Sequence, residues 1–98
     1  MGPASDVTIL AIDIGTTHCK AGLFALDGAA LKIVTRPMVS HRAPSGESYF
    51  DPEALWATAS AVIRKAAAAA DTIAAIGIAS MAETGLLMDR RTGAARSF

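Results

Sequence analysis

Hydrophobic positions along the chain fall into several short apolar runs and one segment with helical spacing. Residues 7–14 are rich in β-branched and apolar side chains with little polar alternation, which is typical of a central strand covered on both faces. Residues 19–26 and 30–36 are two further strand candidates, and the Asp27-Gly28 dipeptide between them is a hairpin turn signal. The pattern therefore predicts a meander of three strands.

The segment at residues 38–50 interrupts this pattern. It has no clear periodicity and contains Pro44, Gly46 and several serines. Such a composition predicts a loop, and this one is long for so short a chain. Long loops in compact domains often carry function, so the segment is a candidate functional region.

A helix is predicted directly after this loop. Asp51 is placed to cap its N-terminus, and Pro52 takes the first helical position, where a missing N–H costs nothing. Glu53 adds a negative charge beside the positive end of the helix dipole. The alanines at 66–70 favour helix, and Asp71 and Thr72 are expected to end it. An apolar stripe at helical spacing is expected to pack on a sheet: Leu55, Trp56, Ala59, Val62, Ile63, Ala66 and Ala67.

The chain then returns to β structure. Residues 73–80 form another apolar run, and residues 86–89 a short last one before a turn at 90–93. Strands joined by hairpins are antiparallel, whereas a helical crossover brings the next strand back in parallel. The order therefore predicts an α/β fold with a βββαβ unit and a mixed sheet, in which the first strand lies in the middle.

Composition and charge narrow the class of protein. With 98 residues, 52% of them hydrophobic and 18% charged, the chain is expected to fold as one domain around a single core. Its formal net charge is zero, so no overall field attracts nucleic acid or an anionic membrane. No apolar run reaches the roughly 20 residues of a membrane span, and the N-terminus lacks a basic signal start. We expect a soluble, cytoplasmic protein.

The turn between the first two strands carries the clearest candidate chemistry. Asp13 lies at the end of a central strand, and Gly15, Thr16 and Thr17 follow. Backbone N–H groups and hydroxyls of such a turn can point at one oxyanion, and a glycine lets a phosphate approach because a Cβ would block it. Lys20 adds a positive charge just beyond the turn. A carboxylate beside phosphate can hold hydrated Mg²⁺ that bridges to the phosphate oxygens. The turn is therefore a candidate site for Mg²⁺ and phosphate.

These residues resemble a known motif. D-I-G-T-T-x-x-K between two strands is similar to the first phosphate motif of the superfamily of sugar kinases, heat-shock-70 chaperones and actin. F-D-P-E-A-L-W and I-A-A-I-G-I-A-S-M-A-E-T-G-L-L-M-D look like the N-terminal part of the FGGY carbohydrate kinases. The resemblance spans nearly all of residues 7–95 and implies a ribonuclease-H-like (actin-like ATPase) mixed sheet. It also implies that residues 1–98 are an incomplete first domain.

The resemblance implies a role for each residue of the turn. It assigns Mg²⁺ to Asp13 and the phosphates of ATP to Gly15, Thr16 and Thr17, and it places Lys20 where the family has a basic residue near them. ATP and Mg²⁺ are thus the expected cofactors. The expected reaction is transfer of the γ-phosphate to a hydroxyl of a sugar, sugar acid or polyol.

The resemblance also places S-M-A-E-T-G at the loop that contacts the acceptor. Glu83 falls where the family has a residue that contacts substrate hydroxyls, and a carboxylate accepting such donors makes strong charge-assisted hydrogen bonds. Ala82 and Met81 stand where the glycerol kinase pattern has arginine and glutamine. These departures favour an acceptor other than glycerol.

The remaining polar and aromatic candidates are interpreted as structural. His18 and His41 are expected to be solvated loop residues without a metal role, since no second ligand stands at a suitable spacing. Cys19, the single cysteine, is expected to be a small buried strand residue. Trp56 is interpreted as part of the packed face of the helix rather than as a sugar-stacking platform.

The resemblance also indicates what lies beyond this chain. In the family the general base, the second phosphate motif and the adenosine pocket come later, so no catalytic residue is assigned here. The chain alone is expected to be inactive, and the parent could be a homo-oligomer. Two alternatives stay open: a chaperone- or actin-type ATP-binding switch module without a sugar site, and a non-catalytic remnant that only binds a partner.

Overall fold

A computed structural model describes residues 7–81 and 86–95 of the chain. Its elements, in chain order, are β1 Val7–Ile14, β2 His18–Ala25, β3 Ala30–Pro37, β4 His41–Arg42, β5 Ser48–Tyr49, α1 Pro52–Ala67 and β6 Thr72–Ser80. The predicted βββαβ order is confirmed, with a short β4–β5 pair added before the helix. The substrate-loop candidates Ala82 and Glu83 lie outside the described residues.

The main sheet has the strand order β3-β2-β1-β6. β1 and β2, and likewise β2 and β3, pair in antiparallel orientation, while β1 and β6 are parallel. The sheet is therefore mixed and β1 is an interior strand, as the hairpin and crossover argument predicts.

The turn between β2 and β3 forms as the Asp27-Gly28 dipeptide predicts. Gly28 has a φ of 94°, a left-handed conformation that glycine adopts without steric cost. The Asp27 carboxylate accepts a hydrogen bond from the Ala29 N–H at 2.9 Å. This local hydrogen bond stabilises the turn and sets the register of β3 against β2.

The N-terminus of α1 matches its prediction, but its C-terminus does not. The Asp51 carboxylate accepts from the Glu53 N–H at 3.1 Å, and Pro52 opens the helix. The helix ends at Ala67, so the expectation that the alanines at 66–70 all lie in the helix is wrong. The N–H groups of Ala69 and Ala70 bond instead to carbonyls three residues back. This tighter turn lets the chain reach the start of β6, which overrides the helix preference of alanine.

The core lies between α1 and one face of the sheet. Its buried residues are Leu10, Ile12, Cys19, Ala21, Leu23, Ala59, Val62 and Ala66. Thr8 is also buried there, and its hydroxyl donates to the Thr72 carbonyl at 2.7 Å, which ties β1 to β6.

The opposite face of the sheet is uncovered, so the expectation that β1 is covered on both faces is wrong. Ala11 and Asp13 on that face are exposed, whereas Leu10 and Ile12, which alternate with them, are buried on the α1 side. Ile76 and Ile78 of β6 pair with Leu10 and Ile12 and so share the α1 side, yet they are 59% and 70% exposed. The reason for their exposure is that α1 packs chiefly over β2 and β3 and leaves the β6 edge open.

The segment predicted to be a loop at residues 38–50 is partly ordered as a small hairpin. β4 and β5 pair in antiparallel orientation, with His41 opposite Tyr49. The two rings stack with their centroids 5.4 Å apart. Gly46, with a φ of 98°, allows the turn between the two strands.

Two further predictions are wrong within the described residues. Trp56 is 66% exposed and does not join the packed face of α1; it lines an open groove with Pro52, Leu86 and Met88. Residues 86–89 do not form a strand; Met88 makes one isolated bridge to Ala95 across the predicted turn. Among residues 7–81 and 86–95, no helix is long and apolar enough to cross a membrane.

Candidate functional site

The turn between β1 and β2 is closed by a single backbone hydrogen bond. The Gly15 N–H donates to the His18 carbonyl at 2.9 Å, which leaves Thr16 and Thr17 at the tip. The Thr17 carbonyl in turn accepts from the Met38 N–H at 2.8 Å, so the end of β3 supports the turn. The tip residues are therefore held in place by hydrogen bonds on both sides.

The structure supplies a reason for Gly15 that the sequence does not reveal. A Cβ added there would lie 3.0 Å from the His18 carbonyl oxygen, a contact with backbone that cannot swing away. The Gly15 N–H is already used within the turn and is not available to a ligand. Glycine thus avoids a tight contact with the His18 carbonyl in the closed turn, apart from any use in the approach of a phosphate.

The tip of the turn carries unused hydrogen-bond donors. Among the described residues, the backbone N–H groups of Thr16 and Thr17 have no backbone partner. Both residues are exposed. The Thr17 hydroxyl lies 3.2 Å from Nδ1 of His18, a contact whose donor depends on the histidine tautomer. Two amides and two hydroxyls at one tip can bind an oxyanion, because successive backbone N–H groups form a concave anion site.

Three polar side chains form a row across neighbouring strands at the same end of the sheet. Asp13 on β1 is directly opposite Lys20 on β2, and Lys20 is opposite Thr35 on β3. Directly opposed residues of a sheet lie on one face, with Cβ atoms about 5 Å apart. All three are exposed on the face that α1 leaves open. We call this set the Asp13–Lys20–Thr35 row.

The row and the turn surround one cavity of about 410 Å³. Its lining residues are Asp13, Gly15, Thr17, His18, Lys20 and Thr35. The structure therefore brings together four of the five predicted turn residues. Thr16 is at the exposed tip but does not line the cavity.

The two charged groups of the row do not form an ion pair with each other in the described residues. The two residues, Asp13 and Lys20, are nevertheless directly opposite each other. Both groups are exposed and can turn toward a ligand. The row thus presents a negative charge, a positive charge and a neutral hydroxyl in that order.

His18 and Thr35 line the cavity although the sequence does not predict them for this site. His18 is exposed, as predicted, but it opens β2 and lies at the cavity wall rather than in a loop. The signal for Thr35 is the hairpin register: counting back from the Asp27-Gly28 turn pairs it with Lys20. That register depends on an irregularity between Leu23 and Phe24, which local sequence does not reveal.

The residues present fit Mg²⁺ better than a metal that needs a full protein cage. The described residues contain no group of three or more His, Cys, Asp or Glu side chains that could hold a metal ion. Mg²⁺ commonly takes one or two carboxylates, with waters and substrate phosphates as its other ligands. One exposed carboxylate at Asp13, beside a turn whose tip N–H groups have no backbone partner in the described residues, meets that requirement.

A second, apolar cavity of about 340 Å³ adjoins the first and shares Asp13 and Lys20 with it. Its floor is a row of small residues, since Ala11 pairs with Gly22 on one side and with Gly77 on the other. The polar row therefore continues into an apolar surface on the open face of the sheet.

Comparison with known proteins gives consistent matches. The family model for the N-terminal domain of the FGGY family of carbohydrate kinases matches residues 8–96. A glycerol kinase of Parabacteroides distasonis is 40% identical over 89 residues, and one of Methylobacterium nodulans is 43% identical over 91 residues. These alignments cover 87% and 89% of this chain but 18% of each relative. The chain thus spans about a fifth of the length of the relatives it matches.

Solved structures agree with the family match. The xylulose kinase of Rhodospirillum rubrum superimposes with a TM-score of 0.79 at 28% identity, covering 90% of this chain and 19% of that protein. The gluconate kinase of Lactobacillus acidophilus superimposes with a TM-score of 0.68 at 26% identity, covering 76% of this chain and 15% of that protein. The fold described above is therefore shared with sugar kinases.

Proposed function

The chain belongs to the FGGY family of carbohydrate kinases, and we propose that it supplies the phosphate-binding hairpin of an ATP-dependent kinase. The reaction is transfer of the γ-phosphate of ATP to a hydroxyl of a sugar, sugar acid or polyol. The observation that carries the proposal is the shared cavity at one end of the sheet, where the Asp13 carboxylate, the Lys20 ammonium and the β1–β2 turn meet.

Each group at the cavity has a task that its chemistry allows. Thr16 and Thr17 offer amides and hydroxyls to phosphate oxygens, and Lys20 offers a positive charge to the same anion. Asp13 would hold Mg²⁺ through its exposed carboxylate. The bound ion would neutralise charge that develops on the phosphates during transfer. Gly15 keeps the turn closed so that these donors stay in place.

The rest of the active site lies outside this chain in our proposal. We propose that residues 1–98 form an incomplete first domain and that the general base and the adenosine pocket come from other parts of a longer parent. The support is the extent of the alignment, which covers 18% of the length of the Parabacteroides distasonis glycerol kinase. The isolated chain would then bind phosphate weakly and catalyse no transfer.

The proposed acceptor is a sugar, sugar acid or polyol. Ala82 and Glu83, which we propose as acceptor-contacting residues, lie outside the described residues. The matched relatives are named glycerol kinase, xylulose kinase and gluconate kinase. A test must therefore include glycerol, although the sequence departures at Met81 and Ala82 favour another acceptor.

We propose a cytoplasmic enzyme whose partners are small molecules and whose parent could form a homo-oligomer. ATP as a diffusible cosubstrate and a net charge of zero are consistent with this location. The chaperone- or actin-type switch and the binding remnant are not favoured, because the matched proteins are carbohydrate kinases.

The test is phosphoryl transfer by the longest natural protein that carries this sequence, with glycerol, xylulose, gluconate and related acceptors. Its intact mass is measured first, and a natural product near 10 kDa would overturn the kinase proposal. The Asp13→Asn variant is expected to lower kcat by about 100-fold or more, and higher Mg²⁺ should restore part of the loss. Unchanged kcat in Asp13→Asn would refute the metal role.

The matched control is Asp27→Asn, the same chemical change in the turn of the next hairpin. Asp27 is exposed, and its only described contact is the hydrogen bond to the Ala29 N–H, which asparagine can also accept. We expect wild-type kinetics. Urea unfolding of both variants separates loss of activity from loss of folding, since Asp13 makes no ion pair in the described chain.

A further inference from the structure

We propose that Thr35 binds a phosphate group of the nucleotide through its hydroxyl. This inference rests on the proposed kinase function and extends it to a residue that no motif marks. Its basis is the position of Thr35 in the Asp13–Lys20–Thr35 row, on the wall of the 410 Å³ cavity.

The register of the sheet aims Thr35 at the cavity. Side chains alternate between faces along a strand, so residues paired across strands share a face. Thr35 is opposite Lys20, which is opposite Asp13, and all three line the same cavity. The preceding residue, Val34, points to the other face, where it is half-buried and packs against the core. Packing of Val34 therefore holds the orientation of Thr35.

The hydroxyl of Thr35 is available to a ligand. Within residues 7–81 and 86–95, its Oγ1 takes part in no hydrogen bond, and the residue is exposed. Threonine is branched at Cβ, so its side chain has few rotamers in a strand and loses little entropy on binding. A hydroxyl held in this way is a directed donor to a phosphate oxygen.

The order of charges in the row indicates where the phosphate and the cation of the ligand bind. Asp13 repels an unshielded phosphate, so the anion is favoured toward the Lys20–Thr35 side and a cation toward Asp13. On the Asp13 side the row continues to Ala79 of β6, which offers no side-chain donor. Lys20 contributes a point charge without strict direction, whereas the Thr35 hydroxyl adds a directed bond. Together they favour a phosphate group, whose oxygens accept both interactions.

The experiment compares Thr35→Val, which keeps the shape and removes the hydroxyl, with Thr35→Ser, which keeps the hydroxyl. Calorimetry on the natural protein measures the Kd for ATP and for ADP, each with Mg²⁺. Loss of one hydrogen bond to a charged group predicts an ATP Kd about tenfold higher in Thr35→Val. Any change in the ADP Kd should be in the same direction, and Thr35→Ser should restore both values.

The matched control is Thr72→Val, the same substitution at an exposed threonine of β6. The Thr72 hydroxyl makes no hydrogen bond in the described residues, and valine retains both the strand pairing with Val7 and the carbonyl that accepts from the buried Thr8 hydroxyl. Wild-type binding of both nucleotides is expected. If Thr35→Val does not fold, Thr35→Ser and Thr35→Ala take its place, and unchanged ATP binding in Thr35→Ala refutes the proposal.

The outcomes separate this inference from the proposed function. Weakened nucleotide binding in Thr35→Val that Thr35→Ser does not restore would assign Thr35 a structural role and overturn the inference. Normal nucleotide binding in Thr35→Val, with an inactive Asp13→Asn, would also refute it and leave the kinase function standing. A natural protein that binds neither nucleotide would overturn both.

Discussion

Substituting Gly15 by alanine tests whether the turn requires glycine for its own closure or only for a ligand. Among the described glycines, positive φ occurs at Gly28, Gly46 and Gly93, so the backbone of Gly15 is one that alanine can adopt. The obstacle is steric, because the new Cβ would lie 3.0 Å from the His18 carbonyl oxygen. The same oxygen accepts the 2.9 Å hydrogen bond from the Gly15 N–H that closes the turn.

The two explanations predict changes of opposite sign in the free energy of unfolding of Gly15→Ala. If the carbonyl must move away, the closing hydrogen bond weakens, and a net loss of about 1 kcal/mol in the free energy of unfolding is expected. If glycine serves only the ligand, Gly15→Ala is an unstrained replacement. It should then raise stability by about 0.4–1 kcal/mol, because alanine restricts the unfolded chain. The difference between the two outcomes is larger than the usual error of the measurement.

The assay is urea unfolding of the natural protein without nucleotide, followed by calorimetric ATP binding. Gly28→Ala is the positive control, because its φ of 94° is unfavourable for alanine and should cost about 1–2 kcal/mol. The structure predicts that Gly15→Ala loses both stability and ATP affinity. A variant as stable as the wild type, with weakened ATP binding, would refute closure of the turn as the reason for glycine.

Two further predictions concern the helix cap and the buried thiol. Asp51→Ala should lower the free energy of unfolding by about 1 kcal/mol in urea titrations, because the Glu53 N–H loses its acceptor. Asp51→Asn should keep most of the stability, and Asp71→Ala, at an exposed position, should keep nearly all of it. Equal losses of stability in these three variants would contradict a capping role for Asp51. Burial, and then the charge of Asp13, raise the pKa of the Cys19 thiol in the folded chain. Stability should therefore be full below the ordinary thiol pKa of about 8.5 and fall as pH rises above it. Urea unfolding at pH 7.5 to 9.5 should show a shallower decline in Cys19→Ala, and parallel curves would contradict the assignment.

Much of the fold is predictable because its signals are local. The Asp27-Gly28 turn and the Asp51 cap each involve hydrogen bonds between residues two positions apart. Neighbouring residues alone decide whether such bonds form, so composition and spacing suffice to find them. The mixed sheet follows from the same elements, because hairpins and helical crossovers allow few topologies.

Exposure is less predictable because it depends on what covers an element. Trp56 has helical spacing with buried residues, yet it is 66% exposed. The apolar run of β1 indicates two covered faces, but α1 covers one. An apolar pattern indicates that burial is favourable, but it does not indicate which helix or strand packs against that face.

The sequence by itself determined the main strands, the start of the helix, the Asp27-Gly28 turn and the motif from Asp13 to Lys20, since these depend on contacts close along the chain. Only the tertiary structure decided that Thr35 joins Asp13 and Lys20, and that the Gly15 N–H is used inside the turn. Both facts depend on the register between strands. A shift of one residue would turn Thr35 to the opposite face of the sheet.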